Sequence, residues 1–69
     1  MSIHNDYYKR TVRYLKRRNA NGYKVGHIRF DPAPDKYCYN YIIKRLNEDK
    51  KTYACIEKVD GKDFIAVYW

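Results

Sequence analysis

Three glycines, two prolines, two cysteines and two histidines in 69 residues leave little of what specialised chemistry needs. None of the glycines stands in a G-x-G pattern, so the backbone cradle of a nucleotide-phosphate loop is missing. Sixteen residues lie between Cys38 and Cys55, with no C-x-x-C and only His4 and His27 elsewhere. That excludes a structural zinc site, which presents close ligand pairs, and the cysteines read as reduced thiols of an intracellular chain. No apolar run reaches ten residues and no apolar core follows the basic start of the chain. A membrane-crossing helix and a secretory signal are therefore not expected, and the expected location is the cytoplasm. Paired carboxylates, a Ser/His/Asp set and internal repeats are missing too, and no metal or other cofactor is expected. A chain of this length is one small domain, residues 1–69, that buries about 60% of its unfolded surface. A large multi-step enzyme with a deep substrate cavity is excluded.

What the chain has is charge, and it is unevenly placed. Fifteen Lys and Arg against eight Asp and Glu give a net charge of +7. Residues 1–30 hold eight of the basic residues and one acid, Asp6, whereas residues 31–69 hold seven of each. The segment Lys9 to Arg18 carries six positive charges in ten positions with no acid. Charge in a block sets up a directed field rather than general solubility. Apolar residues make up 45% of the chain and nine residues are Tyr, a composition that folds.

Tyr8, Val12 and Leu15 recur at helical spacing and predict an amphipathic helix over 5–18, with Asn5 as N-cap and Asn19-Ala20-Asn21-Gly22 supplying two Asn and a Gly for a left-handed C-cap and turn. Tyr23 to Phe30 reads as a strand, with Gly26 as a bulge. Asp31 to Asp35, with prolines at 32 and 34, reads as a loop. Asp60-Gly61 signals a type I′ hairpin in which facing positions sum to 121, pairing strands 51–59 and 62–69. A loop at 47–50 would place a further strand, 37–46, in register, gathering Tyr37, Tyr39, Tyr41, Ile43, Ala54, Ile56, Ile65, Val67 and Trp69 on one face. The expected fold is α+β, an N-terminal basic helix on a four-stranded antiparallel meander. The alternative is α-β-α-β-β with 36–48 helical, since Tyr39, Ile42, Ile43 and Leu46 also share a helical face behind an Asp35 cap.

On the helical wheel Lys9, Arg10, Arg13, Lys16 and Arg17 form one arc opposite the apolar stripe, and Tyr7 and Tyr14 lie on its flank. Guanidinium groups take phosphate oxygens bidentately and an adjacent tyrosine can stack on a base. No glutamate one turn away relieves the repulsion within the arc. These seven residues with Arg18, and Lys24 and Arg29 as extensions, are the expected nucleic-acid-binding residues. Tyr53, Phe64 and Tyr68, with Cys38 and Cys55, would lie on the outer sheet face, where aromatic side chains suit a protein partner. Trp69 at the end of an expected edge strand offers a homodimer contact.

The order basic helix, Gly turn, strand with His27 over residues 6–30 is similar to that of HicA-type RNA-cleaving toxins. The resemblance implies a ribonuclease with His27 as general base beside Arg29. In size and Lys/Tyr/Ile/Asn-rich composition the chain also resembles small phage host-takeover and anti-defence proteins, anti-CRISPRs among them. That implies an inhibitor or adaptor that binds an acidic or nucleic-acid-binding protein surface. No acid or Ser in the sequence reading orients His27, so the first expectation is a non-enzymatic regulator that binds DNA or RNA. The protein-binding inhibitor comes second and the small ribonuclease third; membrane binding is not expected, because Tyr8, Val12 and Leu15 are needed for the core.

Overall fold

The computed structural model describes residues 3–31 and 33–69, so Pro32 of the expected loop lies outside it. The order is α1 (Ile3–Ala20), β1 (Val25–Ile28), α2 (Lys36–Asn47), β2 (Tyr53–Val59) and β3 (Lys62–Tyr68). The first helix is longer than the expected 5–18, so Asn5 lies within it and is not its N-cap; its end is as the sequence dictates. Gly22 takes φ 87°, and the amides of Gly22 and Tyr23 donate to the carbonyls of Asn19 and Arg18 at 3.0 and 3.1 Å. These two bonds form a Schellman cap, which satisfies the last carbonyls of the helix.

The hairpin follows the expected register. Asp60 and Gly61 both have positive φ, 54° and 77°, and Ala54 faces Val67, Ile56 faces Ile65 and Lys58 faces Asp63. The sheet is not a meander, however. Its order is β1-β3-β2, antiparallel throughout, so β1 pairs with the last strand and β3 is central. The β1 ladder runs unbroken from Val25↔Tyr68 to Ile28↔Ile65, and Gly26 is not a bulge. Its lack of a side chain serves packing: a Cβ there would stand 2.9 Å from Leu15 Cδ2 and 3.2 Å from Tyr14 Cε2. The α1 helix lies that close to β1.

Residues 37–46 are helical, which corrects the four-strand expectation in favour of the alternative. One local and one tertiary force decide it. The Asp35 side chain accepts from the Cys38 amide at 2.9 Å, and Cys38, Tyr39, Ile42 and Leu46 are buried at a spacing that only a helix places on one face. The place a fourth strand would take beside β2 is held in part by Asn47. Its side chain accepts from the Ala54 amide at 2.7 Å and donates to the Ala54 carbonyl at 3.0 Å, standing in for a strand. As a result Tyr37 is exposed, Tyr41 and Ile43 are half-buried, and Ile56 keeps 41% of its surface.

Both helices cover the face that carries Gly26, Ile28, Ala54, Ile65 and Val67, with α1 beside β1 and α2 beside β2. Burying this apolar set drives the fold. Cys38 sits inside it, its thiol pKa raised by burial and by nearby Asp35, while Cys55 is half-buried on the opposite sheet face. The two cysteines therefore do not share a face. Trp69 follows the central strand instead of ending an edge: its backbone amide donates to the Lys24 carbonyl and its indole Nε1 to Asn19 Oδ1, both at 3.0 Å.

Candidate nucleic-acid interface

The buried side of α1 is wider than its apolar residues alone suggest. Its centre is Thr11, fully buried, whose hydroxyl donates to the Tyr7 carbonyl at 2.9 Å. Tyr7 and Tyr14, expected outside the core stripe, are half-buried against the core, and Tyr7 meets Phe30 edge-on with centroids 4.7 Å apart. Arg18 belongs to this side as well. Its Nε and Nη2 donate to the Val25 carbonyl at 3.3 and 3.1 Å, and its guanidinium lies 3.8 Å over the Tyr23 ring. Arg18 therefore clamps α1 to β1 and does not stand on the open face.

The opposite side carries Lys9, Arg10, Arg13, Lys16 and Arg17, all exposed. Among the described residues no Lys or Arg comes within 4.0 Å of a carboxylate; the one pair at that range is His27 with Glu57. The five cations keep their charge directed outward, and the Arg10 guanidinium is steadied 5.4 Å over the Tyr7 ring. Lys24 is exposed one residue before β1. Arg29, also exposed, lines a cleft with Lys36 and Lys62 and so belongs to a separate cationic group.

Sequence reading missed Arg45 and Lys51, which come from the half that is neutral by count. With Lys16 they border a second cleft, between α1 and α2. Arg45 Nη1 donates to the Tyr41 hydroxyl at 2.7 Å, which raises its pKa further, and its guanidinium stands 4.4 Å over the Tyr8 ring. The Tyr41–Arg45 spacing of four residues was the available signal, but only on the helical alternative.

The outer sheet face, which neither helix covers, holds His27, Tyr53, Cys55, Glu57, Phe64, Ala66 and Tyr68 by register. Tyr53 and Tyr68 are 62% and 39% exposed with ring centroids 6.3 Å apart, and Phe64 is half-buried. Contrary to the sequence reading, His27 has an acid beside it: Nε2 lies 3.6 Å from Glu57 Oε1, a diagonal contact over β3, where His27 faces Ala66 and Glu57 faces Phe64. The Tyr68 hydroxyl donates to the other oxygen of Glu57, and this bond raises the Tyr68 pKa above the usual tyrosine value. Among the described residues no three His, Cys, Asp or Glu side chains gather as a metal site, and no helix is long and apolar enough to cross a membrane.

Comparison with known proteins finds no matching family model, no matching curated protein and no matching solved structure.

Proposed function

We propose that this chain is a small nucleic-acid-binding protein in which α1 lies along phosphates and the sheet holds it in place. The observation that supports this is the arc of five exposed cations, none of which lies within 4.0 Å of a carboxylate among the described residues. Such an arc binds a polyanion by releasing its counterions, and each neutralised duplex phosphate contributes about −0.9 to the slope of log K against log salt. Five contacts give a slope of about −4 to −5, so affinity for a duplex falls by a few hundredfold, roughly, between 50 and 200 mM salt. Fluorescence anisotropy across that range measures it, and a salt-independent affinity would remove the proposal.

The uncovered outer face favours a second reading, an inhibitor or adaptor that binds a protein through Tyr53, Phe64 and Tyr68. Exposed tyrosines with apolar neighbours are the composition of interface centres. On this reading the double substitution Tyr53→Ala/Tyr68→Ala abolishes capture of a partner from nuclease-treated lysate and leaves nucleic-acid affinity as it was. If the double variant loses nucleic-acid binding and no other property, the face serves α1's ligand instead.

A further inference from the structure

Resting on the nucleic-acid reading, we propose that the cleft between α1 and α2 seats one unstacked nucleotide, so that the protein prefers single strands to duplex. The cleft encloses about 380 Å³. That lies in the range of small-ligand sites and is the scale of a base with its sugar and phosphate, too small for the side of a duplex or a partner helix. Its apolar walls come from Val12, Leu15, Leu46 and Val67, and two aromatic residues, Tyr8 and Trp69, line it as well. A base taken out of its stack needs such surfaces, because every base has a π-face that an aromatic ring can cover.

The rim chooses the charge of the occupant. Lys16, Arg45 and Lys51 stand there against one acid, Asp49. Arg45 is held by the Tyr41 hydroxyl and the Tyr8 ring, and among the described residues no carboxylate comes within 4.0 Å of it, so it is fixed in position with its charge open to a phosphate. Trp69 is likewise set before any ligand arrives, by its bonds to Asn19 and Lys24 and by the space Gly26 leaves 3.7 Å from its ring. Preorganised groups bind without a further ordering cost.

Lys16 joins this cleft to the proposed phosphate track. It belongs both to the exposed arc of α1 and to the cleft lining, so a strand following α1 passes the cleft mouth. A duplex can use the arc alone; a single strand can use the arc and turn one base into the cleft.

Two titrations on the intact chain test this. In the first, adenosine 5′-monophosphate is added to isotope-labelled protein; the Trp69 indole N–H and the Leu46 and Val67 methyl resonances are expected to shift together. In the second, a 12-nucleotide single strand and its duplex are compared at one salt concentration, with the single strand binding about tenfold or more tighter, as one stacked base provides. Lys51→Glu, on an exposed loop, is expected to erase that preference while leaving duplex affinity nearly unchanged. The inference is overturned if the mononucleotide moves none of those resonances, or if Lys51→Glu weakens both ligands equally, in which case the charge acts only at long range. Shifts produced by dodecanoate and not by the mononucleotide would overturn it in favour of an anionic amphiphile. If duplex still binds in any of these cases, the function proposed for α1 stands; if neither strand nor duplex binds, both fall.

Discussion

Arg13→Glu/Arg17→Glu is expected to lower nucleic-acid affinity by about 100-fold or more at moderate salt and to reduce the salt slope by about two units, one for each phosphate contact removed. The substitution takes the formal net charge from +7 to +3 and puts two repulsive groups in the middle of the arc. Stability is a weak confounder, because both side chains are exposed and neither has a carboxylate partner to strand. The one structural cost is at Arg17, in the last turn of α1, where a negative charge opposes the helix dipole by about 0.3–1 kcal/mol. A fall in Tm of more than about 8 °C would therefore point to damage beyond that term. Unchanged affinity in a folded double variant would remove α1 as the contact surface. Arg18→Gln makes an informative companion, since the Arg18 guanidinium is spent on Val25 and the tyrosine rings: it should loosen the fold and leave the salt slope alone.

Gly26→Val should produce a large loss of stability without burying a new polar group. The added Cβ would meet Leu15 Cδ2 at 2.9 Å and the Tyr14 ring at 3.2 Å, and the branched methyls of valine crowd the same space further. Overpacking of this kind costs about 1–3 kcal/mol, and two contacts at these distances belong at the upper end. Against a total of about 3–10 kcal/mol for a chain of this size, Tm falls by roughly 10–20 °C. Trimming the facing side chain should give some of it back, so Gly26→Val/Leu15→Ala is expected to be less destabilised than the sum of its parts, a coupling of about 0.5–3 kcal/mol. Thermal melts followed by circular dichroism decide it. A Gly26→Val protein as stable as the parent would mean that α1 does not sit against β1 at this distance.

Both predictions concern α1, and α1 was the most legible part of the sequence. Its cap residue Gly22, its basic arc and the hairpin register from Asp60-Gly61 are local features, set by a few neighbouring residues and by elementary backbone sterics. The misreadings share a cause: they depend on what lies across the core. Residues 37–46 are rich in residues that favour sheet, and a strand there agreed in register with two others. What overrode this was the Asp35 cap and the demand for a second helix over the apolar face of a sheet only three strands wide. Arg18 was assigned to the wrong surroundings because polarity was taken as exposure, and Thr11 was passed over for the same reason. Thr11 spends its hydroxyl within its own helix, and Arg18 spends its donors on the neighbouring strand, so both can lie inward at little cost. The contact of His27 with Glu57 was not legible at all. It requires β1 and β2 to flank β3, and no local pattern announces the partner of β1.

That strand order sets the sequence of events in folding. Strand β1 has a single neighbour in the sheet, and Val25 and Tyr68, which face one another, are separated by α2 and the whole hairpin. The hairpin and α2 can assemble from short-range contacts, whereas closing the β1–β3 ladder requires the long loop to be ordered first. Segment 1–30, with all of the net charge, is therefore expected to dock last, onto a neutral partner. Until then its cations are carried by a chain with no fixed shape, free to bind any polyanion nearby.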